Sequence, residues 1–385
     1  MADERGEPRP ERLRDRPVRL PDRPDRLTGS LLRWYRRAAR TLPWRGSLDP
    51  YAIWVSEVML QQTRVETVLR YYAPFLRAFP TVGALASAEL PAVLARWSGL
   101  GYYARARAMH AAARTIASRG AFPDAFEELR ELPGFGAYTA AAVAAIAFGR
   151  PEPAIDGNAV RVLARLCGLR ERRPAAEKTL RELARPLVAA GPPSEVNQAV
   201  MELGSQVCTR TAPACLHCPW RIPCRARAFG LQGEIPASRP RLARRPLTWA
   251  AAVCLDGRGR LLFARRPPAG LFGGLWELPG GEVAQGIGTA DMARDLSAAL
   301  RRSLGAHLTI AEPMAEVTQR LTHRDLRVLA FAARGVPPRP RRLPPGGYLE
   351  TCLAGRAAAI DLGLSSVTRK LLAVLPPPAS MTQIC

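Results

Sequence analysis

Hydrophobic positions follow one pattern in roughly the first 230 residues of the chain and another after residue 246. The first region is rich in alanine, with apolar residues at helical spacing and few interior breakers. Pro50–Phe79 and Thr139–Gly149 are examples. This spacing predicts an almost entirely helical region.

The second region contains short apolar runs bounded by glycine, proline or charged residues. Such runs are typical of strands, and they lie at Thr248–Asp256, Gly259–Arg266 and Leu326–Arg334. A helix is predicted among them at Ala290–Leu304. Strands and helices mixed in this way predict an α+β domain.

Two stretches lack either pattern and mark the predicted boundaries. The N-terminal stretch is rich in arginine, proline and aspartate and predicts a disordered basic tail. Glu234–Pro246 is rich in proline and arginine and predicts an interdomain linker. The predicted organisation is a tail at 1–28, a helical domain at 29–230, a linker at 231–246 and an α+β domain at 247–375.

The chain carries a formal net charge of +23, which indicates a polyanionic partner, with nucleic acid favoured over a membrane surface. The alternative is a general excess of arginine, which leaves nucleic-acid binding at even odds on composition alone. No apolar run is long enough to span a bilayer. The N-terminus has no apolar signal segment, so we expect a reducing, cytoplasmic compartment.

Half of the eight cysteines lie in one short segment with the spacing C-x6-C-x2-C-x5-C, at Cys208, Cys215, Cys218 and Cys224. Four thiolates this close can ligate zinc or a [4Fe–4S] cluster. A zinc ribbon normally has two C-x2-C pairs, whereas this segment has one, so the spacing favours the cluster over zinc. Paired disulfides are the third alternative, and a reducing compartment disfavours them.

A glycine-rich turn precedes a strong helix in Leu132–Gly149. Gly134 and Gly136 allow the backbone to approach a ligand closely, and the helix N-terminus offers free N–H groups to an anion. With the preceding EELREL segment, this predicts a helix–hairpin–helix that binds DNA phosphates. An ordinary helix connection is the alternative for such a turn taken alone.

The hairpin, the aspartate Asp156 shortly after it and the cysteine quartet together resemble the endonuclease III superfamily of DNA glycosylases. Further runs resemble the MutY-type adenine DNA glycosylases, and the resemblance covers most of Leu31–Cys224. These runs are Thr41–Arg45, Pro50–Val65, Gly99–Arg107 and Asn197–Gly204. The resemblance implies an all-α glycosylase core with a [4Fe–4S] cluster loop. Its six-helix part would lie at about 50–155, and its cluster part at 29–49 plus 156–230.

Base removal needs an acid for the leaving group and a negative charge near the sugar cation. Glu57 lies in a mostly apolar stretch, where desolvation raises a carboxyl pKa. The resemblance implies that Glu57 protonates adenine and that Asp156, which stays ionised, stabilises the sugar cation and assists water. Taken singly, either carboxylate could be a surface residue or a helix cap.

Tyr138 stands where the resemblance places a lysine in strand-cleaving relatives, and a tyrosine cannot form a Schiff base. The sequence therefore predicts base removal without strand cleavage. The resemblance implies that Tyr138 supports Asp156 through its hydroxyl, and it adds Asn158 to the catalytic set. The alternative for Tyr138 is simple packing under the hairpin.

The resemblance also implies residues that contact DNA or the adenine. Gln62 and Tyr102 match wedge residues that fill the base stack, Thr63 belongs to the DNA-binding set, and the adenine pocket would contain Arg45, Leu60 and Gln198. A surface glutamine or a packed tyrosine needs no such function. Ala137 replaces an arginine of many relatives, so we expect one phosphate contact fewer.

Arg266–Val283 resembles the start of a Nudix-like domain. The helix that would supply glutamates to Mg²⁺ carries arginines and alanines instead, so pyrophosphate hydrolysis is not expected. The resemblance assigns this domain to recognition of 8-oxoguanine, with Thr322 and His323 in the recognition loop. Leu321 replaces an aromatic residue there, and a solvated loop histidine is the alternative for His323.

The predicted function is removal of adenine mispaired with 8-oxoguanine or guanine, by a monomer acting on double-stranded DNA. A thymine glycosylase acting on G·T mismatches is the nearest alternative, and the C-terminal domain argues against it. A non-catalytic DNA-binding protein with a cluster is the other alternative. It would not need both Glu57 and Asp156.

Overall fold

The computed structural model describes residues 18–171, 175–237, 243–335 and 343–377. Within these ranges the chain forms two compact units, bounded in the sequence as Met1–Ala86 with Ala111–Pro240 and as Ser87–His110 with Arg241–Cys385. In the same ranges, no helix has the length and apolar character needed to cross a membrane.

The first unit is helical, as predicted. Helix α5 and the first part of α6 belong to the second unit. The α-helices before the linker are α1 Pro24–Ala38, α2 Pro50–Leu60, α3 Val65–Ala78, α4 Val82–Ser87, α5 Leu90–Trp97, α6 Ala104–Arg119, α7 Phe126–Arg130, α8 Ala137–Phe148, α9 Gly157–Cys167, α10 Ala175–Ala189, α11 Pro193–Gln206 and α12 Arg225–Ala228.

Helix α8 is the centre of the helical unit. Its residues from Thr139 to Ile146 are all buried, and α2 packs beside it with nine buried positions. Small alanine side chains let neighbouring helices approach α8 closely on every side. Gly149 ends the helix in the left-handed conformation, which glycine adopts without a steric penalty.

Helix α1 begins inside the predicted tail. Pro24 stands in its first turn, where a missing N–H costs nothing, and Leu27 is only 1% exposed in the core. The Trp220 indole N–H also donates to the Leu27 carbonyl at 2.9 Å. The tail prediction is therefore wrong for residues 24–28, and residues 1–17 of it lie outside the described residues.

The second unit contains two sheets. Its elements after the linker are β1 Arg245–Cys254, β2 Leu261–Arg265, β3 Trp276–Glu277, β4 Gly280–Val283, α13 Thr289–Leu304, β5 Thr309–Arg320, β6 Arg324–Arg334, β7 Glu350–Ala354 and α14 Ser366–Val374. One sheet has the order β4-β1-β6-β5, and the other has β3-β2-β7. Strands β1 and β6 are parallel, and the other pairs are antiparallel.

The three predicted strands and the predicted helix of this unit are confirmed as β1, β2, β6 and α13. Strand β5 was not predicted from the sequence. It lies at a sheet edge, much of it is exposed, and its pairing shifts around Pro313. Because few of its positions are buried, β5 lacks the apolar run by which the other strands were predicted.

The region predicted as a linker is largely folded where it is described. Leu231 and Ile235 are buried in the helical unit, and β1 begins at Arg245. Residues 238–242 lie outside the described residues.

The segment Ser87–His110 belongs to the same unit as the C-terminal sheets, although the sequence predicts it within the helical domain 29–230. The Tyr103 hydroxyl donates to the Leu364 carbonyl at 3.1 Å, and Arg107 donates to the Gly273 carbonyl at 2.8 Å. These contacts place the Gly99–Arg107 run in the second unit.

Candidate active site

A cavity of about 680 Å³ opens in the helical unit between α2, α8, α9 and α11. Its size falls within the range of about 300–1,000 Å³ that is usual for ligand sites. The structure brings most of the predicted site residues to its wall: Arg45, Glu57, Leu60, Gln62, Thr63, Gly134, Gly136, Tyr138, Asp156, Asn158 and Gln198.

Glu57 is a buried carboxyl of this cavity. It lies in α2 and is 6% exposed. Burial raises the pKa of Glu57 to about 7, although a hydrogen bond from the Tyr138 hydroxyl favours the carboxylate and opposes the rise. Glu57 is therefore partly protonated at neutral pH, which is the state that a general acid needs.

Asp156 caps the N-terminus of α9. Its carboxylate accepts from the Ala159 backbone N–H at 2.6 Å and from the Asn158 amide at 3.0 Å. Burial raises the pKa of Asp156, and these N–H donors oppose the rise. Two donors and the helix N-terminus favour the ionised form.

The hydrogen-bond partner of the Tyr138 hydroxyl differs from the one that the sequence predicts. The hydroxyl donates to Glu57 and lies 3.3 Å from the Met201 sulfur, whereas the sequence assigns its support to Asp156. Tyr138 is in the first turn of α8, which packs on α2, and this packing brings the hydroxyl to the other carboxylate.

Glu202 is a cavity residue that the sequence did not single out. It is 2% exposed and binds the guanidinium groups of Arg40 and Arg45 at 2.8 and 2.6 Å. Burial alone would raise the pKa of Glu202, but the arginine hydrogen bonds outweigh it and lower the pKa to about 2. Glu202 lies in the Asn197–Gly204 run that resembles the adenine glycosylases, four residues after Gln198. That position was the only sequence signal that could have marked Glu202 as a site residue.

Four of the residues predicted to contact DNA or the adenine, Leu60, Gln62, Thr63 and Gln198, also line the cavity. Gln62 has a φ of 56°, an unusual backbone for a non-glycine residue, two positions after the end of α2. The Thr63 hydroxyl donates to the Gln61 carbonyl at 3.3 Å, and the Gln198 amide donates to Ser194 at 3.0 Å. Leu60 is the last residue of α2.

The predicted helix–hairpin–helix consists of α7, a turn and α8. Gly134 has a φ of 78°, which favours glycine, and Gly136 is the N-cap of α8. A side chain added at Gly136 would meet no protein atom within 4 Å, so the turn is open on that side. Ala137 is the first residue of α8, where its N–H faces outward from the helix end.

The four cysteines of the quartet line one small cavity of the helical unit, together with Arg165 and Arg221. Arg165 is 3% exposed, and it donates to the Cys208 sulfur at 3.3 Å and to the Thr209 carbonyl at 2.7 Å. Among the described residues, no group of three His, Cys, Asp or Glu side chains is arranged to hold a metal ion.

Thr322 and His323 are exposed residues of the turn between β5 and β6, in the second unit. The Thr322 hydroxyl lies 3.3 Å from the hydroxyl of Tyr102, which is 44% exposed. The structure therefore brings together two residues that the sequence assigned to different domains and different tasks.

Residues 55–187 match the family of HhH-GPD superfamily base excision DNA repair proteins, and residues 250–374 match the NUDIX domain. The hairpin and the two carboxylates thus belong to a base excision DNA repair protein with a Nudix-type domain. The chain is 34% identical over 402 residues to the adenine DNA glycosylase of Homo sapiens. The alignment covers 89% of this chain and 73% of that protein.

A second relative, the adenine DNA glycosylase of Rattus norvegicus, is 34% identical over 397 residues, with 88% of this chain and 77% of that protein covered. The chain belongs to the family of adenine DNA glycosylases. Among solved structures, a thermostable thymine-DNA glycosylase is 27% identical, has a TM-score of 0.48 and covers 53% of this chain and 96% of its own.

Proposed function

We propose that this chain removes adenine mispaired with 8-oxoguanine or guanine in double-stranded DNA, and that it leaves the strand uncut. The observation that carries the proposal is one cavity holding two carboxyl groups in different surroundings. Burial raises the pKa of both groups, that of Glu57 to about 7, whereas two N–H donors oppose the rise at Asp156. A pair of this kind separates the acid from the charge stabiliser.

The reaction begins when the adenine nucleotide leaves the base stack and enters the cavity. Glu57 donates its proton to the adenine ring, and the electron pair of the N-glycosidic bond departs with the base. Asp156 stabilises the positive charge left on the sugar. Water then adds to C1′ and gives up its proton to a carboxylate, which completes the hydrolysis.

Tyr138 limits the reaction to base removal. A strand-cleaving glycosylase needs an amine to form a Schiff base with the sugar, and a phenol hydroxyl cannot do so. The Tyr138 hydroxyl is also engaged with Glu57. The product is therefore an abasic site, which breaks only on treatment with alkali.

Glu202 and Arg45 fix the polar part of the pocket. The Arg45 guanidinium binds Glu202 at 2.6 Å and the Arg40 carbonyl at 2.7 Å, and it lies over the Tyr35 ring. These contacts hold Arg45 in place before the base arrives, which reduces the cost of ordering it on binding.

The cysteine quartet holds a [4Fe–4S] cluster in this proposal. What supports the cluster is the chemistry of the donor set: four cysteines line one cavity, and the buried cation Arg165 lies beside Cys208, which suits an anionic cluster. Such a cluster, when bound, would tie the loop of residues 208–224 into one structure. Bound iron and sulfide in cluster ratio, with an absorbance band near the visible–ultraviolet boundary, support the cluster, and a colourless protein loaded with zinc contradicts it.

The Nudix-type unit supplies the choice of lesion. The Thr322 hydroxyl and the His323 ring are exposed on one turn, where both can form hydrogen bonds with a base edge. 8-Oxoguanine differs from guanine by a carbonyl oxygen at C8 and an N–H at N7. A hydroxyl and an imidazole can pair with either group.

A strand-specific cleavage assay tests the whole proposal. The purified protein is incubated with duplexes containing 8-oxoguanine·A, G·A or G·T, each labelled separately on the two strands, with and without alkali. We expect cleavage of the adenine strand only after alkali, fastest opposite 8-oxoguanine. Cleavage of the thymine strand would favour a thymine glycosylase, and cleavage without alkali would contradict the role given to Tyr138.

A further inference from the structure

The loop that carries Tyr102 has an unusual backbone. Gly99 and Gly101 have φ values of 105° and 74°, and Tyr102 itself has a φ of 50°. A non-glycine residue in this conformation is strained and persists only when its surroundings hold it there. Some contact in the second unit must therefore fix Tyr102.

Arg105 makes that contact from the first turn of α6. Its guanidinium carbon lies 5.2 Å from the Tyr102 ring centroid and 5.4 Å from the Trp97 ring centroid. It also donates to the Gly101 carbonyl at 3.2 Å, and the Trp97 indole donates to the same oxygen at 3.1 Å. Arg105 thus contacts both rings and the peptide bond that precedes Tyr102.

Arg105 remains a cation at neutral pH in this position. Burial lowers the pKa of Arg105 to about 10, which is still well above 7. A desolvated cation is attracted to the negative faces of nearby aromatic rings. The clamp formed by Arg105, Trp97 and the Gly101 carbonyl therefore opposes the backbone strain at Tyr102.

The held side chain points toward the proposed recognition loop. The Tyr102 hydroxyl lies 3.3 Å from Thr322, and 44% of Tyr102 stays exposed. These residues belong to the same unit, although about 220 positions separate them in the sequence. The position of Tyr102 next to Thr322 depends on the clamp.

We infer that Arg105 is a positioning residue for lesion preference: it holds Tyr102 beside Thr322 so that the two hydroxyls meet the base opposite adenine together. This inference rests on the proposed function, in which the base opposite adenine is 8-oxoguanine. In this inference Arg105 acts on lesion preference through Tyr102.

The test compares Arg105→Met with Arg96→Met. Both variants remove one positive charge from the same segment, but Arg96 is exposed on α5. Single-turnover rates are measured below saturation on 8-oxoguanine·A and on G·A duplexes. In Arg105→Met we expect the ratio of the two rates to fall about ten-fold, and in Arg96→Met we expect it to stay unchanged. An unchanged ratio in Arg105→Met overturns the inference.

A double-mutant cycle shows whether Arg105 acts through Tyr102. In a Tyr102→Ala background, Arg105→Met is expected to change the ratio by less than about two-fold, because there is no ring left to position. A further ten-fold loss would show an independent role and contradict the inference. If Arg105→Met does not fold, Arg105→Lys replaces it, since lysine cannot contact both rings and the carbonyl at once; a parental ratio in that variant is the contradicting result.

A spectroscopic measurement separates this inference from the proposed function. The DNA-free protein is labelled with 3-fluorotyrosine, and the Tyr102 resonance is assigned by its loss in Tyr102→Phe. We expect Arg105→Met to shift or broaden that resonance and Arg96→Met to leave it in place. If the parent shows no preference for 8-oxoguanine, the proposed function fails while this result still decides whether Arg105 holds Tyr102.

Discussion

Each unit of the molecule buries a glutamate that accepts a hydrogen bond from a tyrosine hydroxyl, yet the surroundings of the two pairs differ. Glu57 and Tyr138 face a cavity of about 680 Å³ in the helical unit. Glu277 accepts from the Tyr348 hydroxyl at 2.7 Å in the Nudix-type unit, and Glu277 borders a space of only about 20 Å³. Only the first pair has room for a base.

The two glutamates also differ in their contact with a positive charge. Glu277 binds the Arg266 guanidinium at 2.9 Å, and the Tyr348 hydroxyl also accepts the Gly280 N–H at 2.8 Å. Burial raises the pKa of Glu277, and Arg266 opposes the rise. Glu277 therefore braces β3 against its neighbours. A buried glutamate–tyrosine pair can act as an acid only where a substrate can reach it, and of the two pairs only Glu57 and Tyr138 border a cavity of that size.

The largest expected difference between the two pairs is in activity. Glu57→Gln removes the proposed proton donor while keeping size and polarity, so we expect adenine excision to fall by about a thousand-fold or more. Glu277→Gln is the matched control, with excision within about three-fold of the parent once the protein is shown to be folded. Single-turnover rates on 8-oxoguanine·A duplexes measure both, and equal losses would contradict the comparison.

The second expected effect is on stability and concerns the other glutamate. Arg266→Met leaves Glu277 buried without its cation and removes the guanidinium that lies 4.7 Å from the Trp249 ring centroid. We expect a loss of about 3–5 kcal/mol in the free energy of unfolding. Urea unfolding measures it, with the exposed Arg258→Met as control. A loss below about 1 kcal/mol would show that Glu277 is not braced by this pair.

Glu202 extends the comparison to a glutamate held ionised by two arginines. Its folded pKa of about 2 lies below the ordinary value of 4.5. It therefore stabilises the fold above pH 4.5 by about 3 kcal/mol, and this contribution is lost as the pH falls from about 4.5 to about 2.

Glu202→Gln should accordingly be less stable than the parent at pH 7, and the difference should shrink as the pH falls through that range. Urea unfolding at several pH values measures the difference. Glu195→Gln, which removes an exposed ion pair with Arg36, is the control, with an expected effect of at most about 1 kcal/mol. A difference that is constant with pH would contradict the ionised state of Glu202.

The smallest expected effect comes from Tyr138, whose hydroxyl donates to the proposed acid Glu57. The Tyr138 hydroxyl favours the Glu57 carboxylate, so Tyr138→Phe should raise the pKa of Glu57 further. The alkaline side of the pH–rate profile should then move to higher pH. A shift to lower pH, or none, would contradict the contact.

Local signals in the sequence were sufficient for much of the fold and the site. The turn around Gly134 and Gly136 and the strand runs are short patterns whose physics is local, and they predicted the hairpin and β1, β2 and β6. The partner of Tyr138 could not be predicted, because it depends on how α8 packs against α2.

Other features depend on residues that are distant in the sequence. The contacts of Glu202 could not be predicted from its local sequence, since Arg40 and Arg45 lie more than 150 positions earlier. The membership of Ser87–His110 in the second unit rests on contacts such as Tyr103 with Leu364. A single sequence shows which residues can do chemistry more readily than which distant groups hold them.

The most direct measurement is the pH dependence of the parent protein's single-turnover rate on an 8-oxoguanine·A duplex. If protonated Glu57 is the acid, the rate falls on the alkaline side with a midpoint near the pKa of about 7 that burial gives this carboxyl. The midpoint should disappear from the residual activity of Glu57→Gln. A rate that stays constant or rises from pH 6 to pH 9 would contradict the assignment of Glu57 as the acid.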